Sequence, residues 1–255
     1  MSAAFRMESP SEAELDLLWQ LGCQGVLEQG SHVTAYFPEI LELPLKGNWE
    51  AADTTDYVAR YFESLEPIYL STLVIAPTHR KTTLKAGQKA LWLDPGLAFG
   101  SGHHETTRMA LEALEGLELL GKTVLDVGAG SGILAIAAAL LGAQARGVDN
   151  DPLTLSVAEA NARLNHVSPN FHLGTLTAEV EENVDVLVAN LFAELHIDLA
   201  AHYAAHLKPG GSLIVTGILK EKAEDVKRAL ETPFEHVNTA TDGAWALLAA
   251  SRKLA

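Results

Sequence analysis

The sequence predicts an α/β protein: a mostly parallel sheet flanked by helices and carrying one antiparallel strand, preceded by a small α/β unit and a helical linker. Three observations predict it. An apolar run, Val124-Leu125-Asp126-Val127, passes into the glycine-rich turn Gly128-Ala129-Gly130-Ser131-Gly132 and then into an alanine-rich helical stretch over 133–141. Strand-like and helix-like segments alternate after that turn, as they do when parallel strands are joined by helical crossovers. The last two strand candidates, 235–239 and 244–250, are separated by little more than Thr241-Asp242-Gly243, and so short a turn joins antiparallel neighbours.

Taken in order, the elements divide the chain into a small domain over 1–54, a linker over 55–69 and a large domain over 70–255. Ser9-Pro10 followed by Glu12 and Glu14 reads as a helix start, because proline suits the first turn and acids there complement the helix dipole. Leu15, Leu18 and Trp19 give that helix one apolar face. Strand-like runs at 25–28 and 32–37 flank Gln29-Gly30-Ser31 and read as a hairpin. The stretch 53–62 has a helix-start signature and ends near Leu65-Glu66-Pro67, where the residue before proline avoids helical geometry. In the large domain, strands are predicted at 73–76 and 89–93 and a helix at 105–115. After the glycine turn come a strand at 145–148, a helix from Asp151-Pro152 to 164, and strands at 171–173, 184–189 and 212–216.

Composition narrows the function classes. The 255 residues carry 33 acids against 18 bases, a net charge of −15, which excludes a chain that grips nucleic acid through a basic footprint. Residues 1–66 hold twelve acids and three bases (Arg6, Lys46 and Arg60), so this quarter carries −9 of the −15. It reads either as a solubilising surface or as a docking face for a basic partner. No apolar stretch reaches the 18 residues of a membrane span, and residues 1–11 lack the basic start and apolar run of a signal peptide, so a cytoplasmic protein is expected. The single cysteine, Cys23, reads as a small packed hydrophobe.

The glycine turn is where a Rossmann-like domain receives a nucleotide cofactor. Glycines allow a tight turn and close approach, and the following helix offers free N–H groups. A dinucleotide fingerprint needs a further glycine where this chain has Ile133, and the earlier placement at Gly132 favours S-adenosylmethionine. Asp149 follows about 20 residues later, where such folds place the carboxylate that grips the ribose hydroxyls. Asn190 ends the buried strand candidate 184–189, its side chain able to accept a hydrogen bond from an incoming amine. Adjacent His103 and His104 make a poor metal pair without further ligands, and no metal is expected.

A further stretch is more specific: Asp94-Pro95-Gly96-Leu97-Ala98-Phe99-Gly100-Ser101-Gly102-His103-His104-Glu105-Thr106-Thr107-Arg108. Together with the 124–132 motif, Asn190-Leu191-Phe192 and the turn Leu207-Lys208-Pro209-Gly210-Gly211, it is similar to the ribosomal protein L-eleven methyltransferases, a class I S-adenosylmethionine-dependent family. Glu105 departs from the proline that the pattern carries between the histidine and the threonine pair. The resemblance implies a class I methyltransferase fold and an enzyme that methylates amino groups, lysine ε-amines and an α-amine, of that ribosomal protein. It also implies that Phe99, Thr106, Thr107, Gly128, Gly130, Asp149 and Asn190 bind the cofactor, with Asn190 beside the transferred methyl. The basic substrate is expected to dock on the acidic N-terminal domain of a monomeric enzyme, with no nucleic-acid or membrane contact. Two other readings stay open at this point: methylation of a nucleobase amine or glutamine amide, whose families carry two prolines after the Asn or Asp, and a non-catalytic nucleotide-binding module.

Overall fold

The computed structural model describes residues 3–11, 14, 15, 17, 18, 21, 23, 25–29, 32–37, 40–51, 66–78, 80–93, 102, 104–176 and 183–254. The chain forms two compact units, 1–64 and 65–255. Most of the predicted linker, together with Phe99, His103, Trp19 and the Gly30-Ser31 turn, lies outside the described residues.

The smaller unit is a four-stranded antiparallel sheet in the order β2-β3-β1-β4, with β1 Ala3–Glu8, β2 Gly25–Gln29, β3 His32–Phe37 and β4 Asn48–Ala51. Alternation along β3 buries Val33, Ala35 and Phe37, of which Ala35 and Phe37 join Phe5, Met7, Leu18 and Cys23 in one apolar cluster. Trp49 closes that core against Phe5 and Phe37 and donates from its indole to the Leu41 carbonyl at 3.1 Å. The helix start differs by two residues from the sequence reading. Ser11 and Glu14 form a reciprocal capping box (Ser11 N–H to Glu14 Oε2 2.8 Å, Glu14 N–H to Ser11 Oγ 3.4 Å), so Pro10 precedes the cap instead of occupying the first turn. Strands β1 and β4 were not expected, because their pairing is long-range.

The larger unit opens with a three-stranded sheet, β5 Ile68–Tyr69, β6 Leu73–Pro77 and β7 Lys89–Leu93, so residues 68 and 69 pair within it. Then follow α1 Glu105–Glu115, β8 Thr123–Val127, α2 Ile133–Leu140, β9 Gln144–Asp149, α3 Pro152–Leu164, β10 Asn170–Leu173, β11 Val184–Asn190, α4 Ala193–His206, β12 Leu207–Leu219, α5 Ala223–Leu230, β13 Phe234–Asp242 and β14 Trp245–Arg252. The seven-stranded order is β10-β9-β8-β11-β12-β14-β13, parallel except for β14. The one antiparallel strand is last in the chain but second from last in the sheet. Against β14, the register of β13 breaks between Glu235 and Asn238, where His236 takes φ 54°.

Burial follows strand alternation. Val124, Val186, Val188 and Ile214 pack on the face covered by α1, α2 and α3, whereas Leu125, Val127, Leu187, Leu213 and Val215 pack on the face covered by α4 and α5. Asp126 and Asn190 therefore lie on the first face, by their two-residue spacing from Val124 and Val188. The chain steps from β8 to β9 on one side and later returns to β11 on the other, so β8 and β11 flank the switch point, beyond whose carboxyl ends ligands of such sheets bind. Among the described residues no helix is long and apolar enough to cross a membrane.

Candidate active site

After β8 the chain passes through Gly128, Gly130 and Gly132 with φ of 73°, 52° and 79°. Gly128 shows why glycine is required: besides its left-handed backbone, a Cβ there would stand 2.5 Å from Leu191 Cδ2. The Asn190-Leu191-Phe192 turn and the glycine turn thus pack directly on one another. The N–H groups of Gly128 and Ala129 both reach the Val148 carbonyl, at 2.9 and 3.1 Å, which draws the turn toward the end of β9.

Asp149 stands at that end. Its Oδ2 accepts the Gly130 N–H at 2.8 Å and its Oδ1 the Asp151 N–H at 2.9 Å. A carboxylate offers about four lone-pair positions, so each oxygen keeps acceptor capacity after these bonds. Thr106 and Thr107, both buried, begin α1. The Thr106 hydroxyl is engaged by His104 Nδ1 at 2.8 Å, and His104 is the helix N-cap. Glu105, the departure from the family pattern, takes the first helical position, where an acid suits the helix dipole and proline is equally at home. Thr107 instead meets Asn190, whose Nδ2 donates to Thr107 Oγ1 at 3.3 Å. Of the predicted site residues, Thr107 is thus joined to Asn190 and Gly130 to Asp149, while Thr106 serves the cap. Phe192 is 72% exposed and stands at the surface beside the turn.

Asp126 is a residue to which the sequence reading gave no role of its own. It is 1% exposed, its Oδ2 accepts the Ala135 N–H at 3.0 Å, and its Oδ1 has no partner among the described residues. Burial pushes its carboxyl up to about 7, opposed by the Ala135 N–H and assisted by the charge of Asp149. The signal was present: an acid inside an apolar strand, two residues from the glycine turn. His196 was also missed. It is fully buried, and burial holds its imidazole down to about 4 although the Thr216 and Leu191 backbones favour the proton. Among the described residues no three His, Cys, Asp or Glu side chains group as metal ligands.

These residues fit a ligand that combines paired hydroxyls with positive charge. Asp149 has spare acceptors, Gly128 and Gly130 put no side chain on the turn at their positions, and Asp126, two residues before the turn, keeps a carboxylate oxygen without a partner among the described residues. S-Adenosylmethionine has both features in its ribose and its sulfonium and ammonium groups. The family model for ribosomal protein L11 methyltransferase matches residues 28–253.

The chain belongs to the ribosomal protein L11 methyltransferase family. Over 95% of its length and 95% of the relative's, it is 47% identical to a protein of that name from Deinococcus radiodurans, and it is 44% identical to one from Thermus thermophilus, with 92% of each covered. A crystal structure of ribosomal protein L11 methylase from Lactobacillus delbrueckii subsp. bulgaricus superposes with a TM-score of 0.69 and 37% identity, covering 74% of this chain and all of that one. As in the sequence reading, the large unit is a class I methyltransferase fold, and the family uses S-adenosylmethionine as methyl donor.

Proposed function

We propose that this chain transfers methyl groups from S-adenosylmethionine to amino groups, lysine ε-amines and an α-amine, of ribosomal protein L11. The observation that carries the reading is the meeting, at the carboxyl ends of β8, β9 and β11, of a glycine-rich turn, a carboxylate with spare acceptors and the Asn190 amide anchored on Thr107. When bound, S-adenosylmethionine supplies a methyl group already activated by its sulfonium, so the protein has mainly to align nucleophile and donor and to exclude water.

Asp149 would hold the ribose hydroxyls, with Gly128 and Gly130 backing the methionine portion. Asn190 would orient the amine through its carbonyl oxygen, since its Nδ2 is already given to Thr107. The amine must arrive neutral. With a lysine reference pKa near 10.4, deprotonation at pH 7 costs about 4.6 kcal/mol. The groups bonded to the Asn190 turn are uncharged, so release of the proton to water before attack is the route this site supports. Phe192, exposed beside the turn, can cover the aliphatic stem of the entering side chain.

We also propose that the acidic smaller unit docks the basic substrate and that the enzyme acts as a monomer in the cytoplasm without nucleic acid. Support comes from the −9 carried by residues 1–66. Incubation with methyl-labelled S-adenosylmethionine and a mixture of free ribosomal proteins tests the whole reading. Label should enter L11 alone, on amines; transfer only to RNA, or to none of the proteins, would overturn it.

A further inference from the structure

Behind the Asn190 turn lies a polar chain built from neutral groups. Thr216 is the ladder partner of Asn190, and its carbonyl accepts two donors, the Leu191 N–H at 3.0 Å and His196 Nε2 at 2.8 Å. Because a carbonyl can only accept, the imidazole proton is on Nε2. Nδ1 is then the acceptor, and the Tyr203 hydroxyl donates to it at 2.9 Å. Tyr203 lies seven residues after His196, two turns along α4, so one helix supplies both the imidazole and the group that fixes its tautomer. His196, Tyr203 and Thr216 are all fully buried.

The residue after Thr216 continues the arrangement. Gly217 has φ 86°, and a Cβ there would come within 2.4 Å of the Leu191 carbonyl oxygen and 2.8 Å of Asn190 Oδ1. The Asn190 amide is therefore bounded by the Gly217 backbone on its oxygen side and by Thr107 on its nitrogen side. A leucine would fill the space of His196 without the cost of burying an imidazole, so packing alone does not account for the residue.

We infer that His196, oriented by Tyr203, is a positioning residue for methyl transfer: it fixes the Thr216-Gly217 backbone on which the Asn190-Leu191 turn rests and so sets where the Asn190 amide meets the amine. It touches neither donor nor acceptor and acts through Asn190. The inference rests on the transfer reading above, but part of its test does not.

The test uses full-length His196→Leu, His196→Gln and Tyr203→Phe, with kcat and KM on L11, calorimetric Kd for S-adenosylmethionine, and amide hydrogen exchange of the 190–192 segment. His196→Leu should lower kcat about 10- to 100-fold, the scale of a misplaced reacting group, with the Kd changed less than about 3-fold. Exchange at the Leu191 amide should accelerate while that of β8 stays as in the wild type. His196→Gln, whose Nε2 can still donate to Thr216, should recover most of kcat, and Tyr203→Phe should fall between the two. Wild-type kcat and exchange in either His196→Leu or Tyr203→Phe would overturn the inference. So would equal losses of kcat and stability in His196→Leu and His196→Gln, which would make the role structural. If His196→Leu does not fold, Tyr203→Phe and His196→Gln decide by the same criteria. Should the wild-type enzyme leave L11 unmethylated, the transfer reading fails, and the exchange measurements still decide whether His196 holds the turn.

Discussion

After β8 the chain turns over two carboxylates, Asp126 and Asp149, each of which accepts backbone N–H groups; after β11 it turns through Asn190 and Leu191, whose partners are a hydroxyl and a carbonyl backed by a neutral imidazole. The two turns touch, Leu191 lying over Gly128, yet their electrostatics differ. On the proposed reading, the acids stand on the side of the donor's sulfonium. The acceptor amine has to lose its proton before it attacks, and a carboxylate beside it would stabilise the ammonium instead. If the proposed placement holds, the acids lie on the donor side and neutral dipoles on the acceptor side, as transfer to an amine requires.

The largest effects that sharpen this contrast concern pH. Asp126, raised from 3.8 to about 7, and the unfolded carboxyl both hold a proton below about pH 4. As pH rises from 4 to 7 only the unfolded form ionises, so this group costs stability, by up to roughly 4 kcal/mol. His196 works the other way. Its pKa is depressed from 6.5 to about 4, so its contribution is complete above pH 6.5 and is lost as pH falls toward 4, by up to roughly 3 kcal/mol. The slopes oppose each other in the wild type. Urea midpoints from pH 4 to 8 should show Asp126→Asn gaining relative to wild type as pH rises, and His196→Gln gaining as pH falls; flat difference curves would erase the distinction.

Next in size, Asn190→Ala should lower kcat about 100-fold with little change in cofactor affinity, because it removes an aligning group. Equal losses in both would move Asn190 to the donor side. Asp149→Ala should do the converse, weakening S-adenosylmethionine by about 1.5–3 kcal/mol, roughly 10- to 150-fold, as read by calorimetry. Unchanged affinity would remove Asp149 from the site. The smallest effect belongs to the acidic unit. Affinity for L11 should fall as salt rises from about 0.01 to 0.15 M, since the Debye length shrinks from about 30 to 8 Å. Salt-independent binding would leave the acid excess as a solubility feature.

Much of the larger unit was legible in the sequence, for identifiable reasons. The helix Glu105–Glu115 and the strand Lys89–Leu93 were placed to the residue because caps and alternation mark them locally. Asp149 was singled out by its distance from the glycine turn, and the structure bonds its carboxylate to the Gly130 N–H of that turn. Helix α4 was not anticipated. Its His196 and His206 are polar by letter but buried by hydrogen bonding to carbonyls, so no apolar period appears in the sequence. Strands β1 and β4 escaped because their evidence is pairing with residues tens of positions away. The second donor on the Thr216 carbonyl is likewise invisible to any local pattern.

The two outermost strands of the large sheet carry a consequence for life in a crowded cell. A strand at the rim offers unpaired backbone groups on which another molecule can build. On one side that strand is β10, only four residues long; on the other it is β13, whose ladder is interrupted at Glu235–Asn238 by the left-handed His236. Neither presents the long, even row of donors and acceptors that templates aggregation or edge-to-edge association. Among the described residues the sheet thus ends on one side in a short strand and on the other in a broken one, each a poor template for edge-to-edge pairing.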